Sequence, residues 1–174
     1  MTMRFTGALA FAWLAFAAPV GAEVTATDLQ VAARALSFME DPLRGVVQVG
    51  ILYEPGSPRS VRQAQELERL LGGGLRAGAL ELRPQLVELE RAAHAGVEIF
   101  FLTEYVDSAA ALAADLGAAK GRPCVTLDLE QVRSGACLMG VRSKPKIEIV
   151  VNRAAAQASG IAFATVFRVM ITEI

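Results

Sequence analysis

The sequence has little of what most catalysis needs. Among its 174 residues there are one histidine and two cysteines. His94 stands alone, with no serine or cysteine near it in a recognisable motif, so it reads as a surface or loop residue rather than a general base. No G-x-S-x-G or H-E-x-x-H pattern occurs, and no nucleophile–base pair is visible. Two thiols and a distant imidazole do not make a zinc set, so no metal site is expected. There is no Walker pattern, and the glycine cluster between Gly72 and Gly78 follows a predicted helix rather than a strand. It is a helix end and loop, not a dinucleotide fingerprint, and no cofactor is expected. Charge of either sign is not in excess: 17 Lys and Arg face 18 Asp and Glu. No basic field argues for nucleic acid, and no polybasic stripe argues for a lipid surface. Beyond the first 22 residues no apolar run reaches membrane-spanning length.

What is present begins with those 22 residues. Arg4 supplies a positive start, Phe5 to Ala18 is apolar apart from Thr6 and Gly7, and Pro19 ends the run. Val20-Gly21-Ala22 then offers the small residues that a signal peptidase reads, so residues 1–22 are expected to be a secretory signal peptide cleaved after Ala22. An uncleaved anchor is the alternative. Removal leaves about 150 residues, enough for one domain with its own core. The expected location is the periplasm, where ATP and NADH are absent and where the mature chain would not insert into the membrane. In an oxidising compartment the pair Cys124 and Cys137 reads as a disulfide closing a short loop. Such a bridge stabilises by about 3 kcal/mol on the chain-entropy account. Two buried free thiols are the alternative.

Along the chain, Glu23 to Asp41 has helical spacing, with Thr27 as a cap and Pro42 as the stop. Val46 to Tyr53 is a mostly apolar run that suits a central, doubly covered parallel strand. Glu54-Pro55-Gly56 is a turn, and Ser57-Pro58 starts a helix that Gly72-Gly73-Gly74 ends. Leu80 to Leu89 is a candidate strand that Pro84 demotes to an edge or an interrupted one. Val97 to Leu102 reads as a second buried strand, and Asp107 or Ser108 caps an Ala-rich helix to about Ala118. After Gly121-Arg122-Pro123 comes a strand from Cys124 to Leu127. Asp128 then caps a short helix, with Gln131 as its capping-box partner. Cys137 to Val141 and Lys146 to Val151 form a hairpin, Asn152 caps a helix ended by Gly160, and a last helix carries Val166, Phe167, Met170 and Ile174. That last helix reads as core, or as a dimer or partner interface.

No repeat or linker interrupts residues 23–174, which are expected to form one domain. The expected class is α/β: three layers, a mostly parallel sheet with an antiparallel C-terminal edge hairpin, a Rossmann-like single lobe. In open α/β sheets, ligands sit beyond the carboxyl ends of the parallel strands. Tyr53, Glu54 and Ser57 follow one such strand, and Thr103, Glu104 and Tyr105 follow another. The Ser57-Pro58 helix start adds free backbone N–H groups. These six residues are the candidate ligand-binding set, with ordinary turn and cap chemistry as the alternative.

The closing segment Lys146-Ile147-Glu148-Ile149-Val150-Val151-Asn152-Arg153-Ala154-Ala155-Ala156, followed by Ser159-Gly160-Ile161, resembles the end of the YfiR family of periplasmic proteins. Ala32 to Pro42, closing on Phe38-Met39-Glu40-Asp41-Pro42, is similar to that family's opening helix, although Asp41 stands where the family commonly has Trp. The resemblance implies a non-enzymatic regulator that binds the periplasmic part of an inner-membrane diguanylate cyclase and holds it inactive, in cyclic-di-GMP signalling. It also implies that the state of a Cys124–Cys137 disulfide could tune that control. A competing resemblance starts at Val47-Gln48-Val49-Gly50-Ile51-Leu52-Tyr53-Glu54-Pro55-Gly56-Ser57-Pro58, which is similar to the opening strand and turn of a periplasmic solute-binding lobe. Such proteins clamp ligand between two lobes, so a single lobe would sense a ligand alone or form a homodimer to make the cleft.

Overall fold

Strand β1, Gly45–Tyr53, organises the molecule. Its apolar residues bury both faces, as expected of a central parallel strand. It pairs in parallel with β3 (Leu80–Glu88) on one side and with β4 (Ile99–Leu102) on the other. The structure, a computed structural model, describes residues 24–106 and 121–174. The proposed signal peptide and the Ala-rich helix with its Asp107 or Ser108 cap lie outside the described residues. Beyond β4 follow β5 (Cys124–Thr126), β6 (Met139–Arg142), β7 (Glu148–Val151) and β8 (Thr172–Glu173). On the far side, β2 (Leu75–Ala77) flanks β3. The sheet order is β2-β3-β1-β4-β5-β6-β7-β8, with antiparallel pairs only at β2–β3 and β6–β7. This is the expected α/β class, with the expected hairpin near its C-terminal edge.

Helices cover both faces. Helices α1 (Ala26–Leu36) and α2 (Pro58–Leu71) pack with Val47, Val49 and Ile51 on one face. On the other face, a 3-10 segment (Leu89–His94) joins Leu52, Phe100, Leu102 and the Cys124–Cys137 disulfide, whose Cα atoms lie 4.9 Å apart. Helix α3 (Leu129–Arg133) sits over β6 on this face. It comes so close that a Cβ placed on Gly140 would meet Val132 Cγ2 at 2.6 Å and Leu129 Cδ2 at 2.7 Å. Helix α4 (Arg153–Ala158), capped by Asn152, and the single turn α5 (Thr165–Arg168) complete the chain. Among the described residues no helix is long and apolar enough to cross a membrane.

Several boundaries differ from expectation, each for a local reason. The cap of α1 is Thr25, not Thr27: its hydroxyl accepts from Asp28 N, and the Asp28 carboxylate accepts from Thr25 N in return. Asp28 also accepts from Ser143 N at 2.8 Å, tying α1 to the β6–β7 connection. Pro84 does not place β3 at the sheet edge, because β2 lies outside it. Yet β2 pairs only with Leu80 to Leu82, so the flank at Pro84 has no outer strand and its missing N–H costs no ladder bond there. Cys137 is not in a strand: its N–H donates to Gln131 O, and β6 starts two residues later. The expected last helix shrinks to one turn. Phe167 is buried, while Val166, Val169 and Met170 are exposed, and the chain ends as β8 beside β7.

Candidate functional site

The strand order reverses at β1. From β1 the chain moves outward through α2 to β3, then returns across β1 to β4. The crevice between the carboxyl ends of β1 and β4 is therefore the topological switch point of the sheet, where ligands of open α/β folds sit. Five parallel strands end along this edge, at Glu88, Tyr53, Leu102, Thr126 and Arg142.

The floor of the crevice is a chain of committed hydroxyls. Thr103 Oγ1 donates to Leu52 O at 3.0 Å, which leaves Ser60 Oγ to donate to Thr103 Oγ1 at 2.7 Å and to accept from Glu54 N at 2.9 Å. Both side chains are fully buried. Ser57 caps α2 by accepting from Ser60 N. Thr103 and Ser57 of the candidate set thus hold the β1–α2 loop to the end of β4. Buried Gln131 extends the scaffold. Its amide donates to Thr103 O at 2.8 Å and to Glu104 O at 3.3 Å, and its Oε1 accepts from Thr126 Oγ1. The expected capping box with Asp128 is absent, because Gln131 turns inward; Asp128 caps α3 through Glu130 N. Gln63 of α2 accepts from Glu104 N at 2.6 Å.

Above this floor lie charges. Burial, followed by the Asp128 carboxylate, pushes the Glu104 carboxyl above its usual value, while Gln63, Arg142 and Arg59 oppose the shift. The Arg59 guanidinium lies over the Tyr105 ring at 4.1 Å, a cation–π contact that also shapes the rim. The edge therefore carries two carboxylates, Glu104 and Asp128, and two guanidinium groups, Arg59 and Arg142.

The structure brings Glu54, Ser57, Thr103, Glu104 and Tyr105 of the candidate set to this crevice. Tyr53 is half-buried against the core on the α1–α2 face, and it also lines an adjoining cavity of about 420 Å³ with Glu88, Arg91 and His94, off the end of β3. Sequence reasoning passed over Arg59, Ser60, Gln63, Gln131 and Arg142. The signal for two of them was available, since Ser60 and Gln63 interrupt the otherwise apolar buried stripe of α2, which continues through Ala64, Leu67 and Leu71.

No protein-family model and no curated protein matches the sequence. Solved structures do. A conserved domain protein from Vibrio cholerae O1 biovar El Tor superposes with a TM-score of 0.55 at 13% identity, covering 85% of this chain and 59% of that one. The ABC domain in complex with L-Trp from Streptococcus pneumoniae gives a TM-score of 0.56 at 14% identity, covering 84% and 60%. This chain thus spans about 60% of the length of either neighbour. The likeness shows a shared α/β fold.

Proposed function

We propose that this chain is a non-enzymatic regulator of the cell envelope: a sensor lobe that takes a small zwitterionic ligand at the β1–β4 switch point and controls an inner-membrane signalling protein by direct contact. The observation that carries the ligand half is the paired charge at the crevice. Glu104 and Asp128 suit an ammonium group, and the Arg59 guanidinium suits a carboxylate. An amino acid carries both. The L-Trp complex of the streptococcal neighbour supports this ligand class. The partner half rests on the resemblance to the YfiR family, which favours a membrane diguanylate cyclase, and on the proposed signal peptide, which favours the periplasm. Control requires that the lobe bind two states of its partner with different affinity.

The test is a thermal-shift screen of the mature protein against the amino acids. A true ligand at 100 times its Kd adds about 2.7 kcal/mol and raises Tm by roughly 5–10 °C. Glu104→Gln and Arg59→Ala should each abolish that rise. Affinity capture from detergent-solubilised envelopes, with and without the hit, should then recover a membrane cyclase in a ligand-dependent amount. A panel without a single hit would sink the sensor half, and capture without a signalling protein would sink the regulatory half.

The second reading is a single-lobe solute-binding component of a transporter, favoured by the same neighbour. Recovery of a permease in place of a cyclase would select it.

A further inference from the structure

A second concavity, of about 560 Å³, shares no residue with the switch point. It lies between α1, the turn joining β2 to β3, and the segments leading into β7 and out of α5. One stripe of α1, with Val31 and Ala35 as its apolar members, and Phe38 just beyond the helix form a wall. The Phe38 ring stacks on Phe167 with centroids 4.9 Å apart and planes 7° from parallel, closing the floor. Ile147 and Met170 form the opposite wall and are 62% and 61% exposed. Two large apolar side chains so open to water on one concave surface, beside half-buried Phe38, mark a binding site rather than scatter.

The rim is cationic. Arg34 lines the groove and has no carboxylate partner among the described residues. Arg76 also lines it and shares Glu81 with Arg83, so these three side chains keep one excess positive charge. No aspartate or glutamate lines the groove itself, and Arg34 stands without an ion-pair partner among the described residues. Volume, lining and charge together match one class of ligand. The cavity is within the range of small-molecule sites, about 300–1,000 Å³. Its lining offers a long apolar surface and no buried polar group that would need pairing, and two guanidinium groups sit at one margin.

We propose that this groove binds a single fatty carboxylate. Its acyl chain would lie along Phe38, Phe167 and Met170, and its carboxylate would be held at the rim by Arg34 and Arg76. Guanidinium suits this head group because its fork of donors matches a carboxylate.

Displacement of cis-parinaric acid from the purified full chain by saturated fatty acids, below their micellar concentrations, tests the assignment. Affinity should rise from hexanoate to dodecanoate by up to about fourfold per methylene. Dodecanol, which lacks the charge, should bind about fivefold more weakly than dodecanoate, and that gap should shrink at 1 M salt. Arg34→Glu should remove the preference for the carboxylate while leaving dodecanol unchanged, and Arg34→Lys should keep most of it. Val31→Trp, placed to fill the groove, should block both ligands with the circular dichroism spectrum intact. Equal affinity for dodecanol and dodecanoate would overturn the head-group assignment. The whole proposal fails if nothing is displaced, or if sedimentation shows a dimer whose formation Val31→Trp abolishes; a second copy of the chain then covers the groove.

Discussion

The hydroxyl relay under the switch point gives the sharpest test of the structure. Glu54 N–H donates to Ser60 Oγ, Ser60 to Thr103 Oγ1, and Thr103 to the Leu52 carbonyl, the last two across 43 and 51 residues of sequence. Ser60→Ala removes one small oxygen and creates almost no cavity. Its cost is electrostatic: the Glu54 amide loses its acceptor, and Thr103 loses its donor. A buried group left unpaired costs about 1–3 kcal/mol, so about 2 kcal/mol is expected. For a chain of this size, that lowers Tm by roughly 4–8 °C. Thr103→Val should cost about 1.5 kcal/mol, because it orphans the Ser60 hydroxyl; the Leu52 carbonyl keeps the Thr103 N–H at 3.1 Å. The double variant no longer contains the Ser60–Thr103 pair, so its cost should fall about 1 kcal/mol short of the sum. Urea denaturation followed by circular dichroism on the four proteins closes the cycle. Strict additivity, or a Ser60→Ala cost below about 0.5 kcal/mol, would refute the relay.

Three further outcomes follow from the packing and charge. Gly140→Ala should destabilise by about 1–3 kcal/mol, because its new methyl meets Val132 and Leu129 below 3 Å; an unchanged melting curve would show that α3 moves away freely. Burial alone would raise the Asp28 carboxyl, but hydrogen bonds from Ser143 and Thr25 hold it below its usual value. Its folded-state pKa is thus depressed, so its contribution is present above about pH 4 and is lost as pH falls through the folded value. Asp28→Asn should therefore flatten stability against pH below about pH 4, and an acid limb that keeps its slope would contradict this. Replacing Cys124 and Cys137 together by Ala should cost about 3 kcal/mol in chemical denaturation, and equal midpoints for the two proteins would remove the structural role of the bridge.

Much of the fold is legible in the chain because local physics decides it. The apolar run around Ile51 can only be a doubly covered strand, Ser57-Pro58 can only open a helix cleanly, and four residues between Val141 and Lys146 leave room for little but a hairpin. Errors fall where a tertiary contact outbids a local preference. Gln131 has the spacing of a capping box, but Thr126 and the two carbonyls just past the end of β4 offer its amide three partners, two of them buried. Val166 and Met170 have helical spacing. The helix nevertheless stops after one turn, because Ile174 N–H donates to Val151 O and draws the last residues beside β7.

The candidate site divides in the same way. From the sequence alone come the strand ends and the identity of the residues that follow them, because a parallel α/β order dictates that ligands meet carboxyl ends. Only the tertiary structure decides which strands are neighbours. By placing β4 against β1, it converts Thr103 from a ligand candidate into a buried relay, and by covering one face with α1 and α2 it packs Tyr53 against the core. It also recruits Arg59 and Arg142 beside Glu104. The reason is physical. Periodicity and capping are set within a few residues, whereas the charge and burial at an edge of the sheet are set by residues about 40 positions apart, such as Gln63 and Glu104, which meet only when the strand order is fixed.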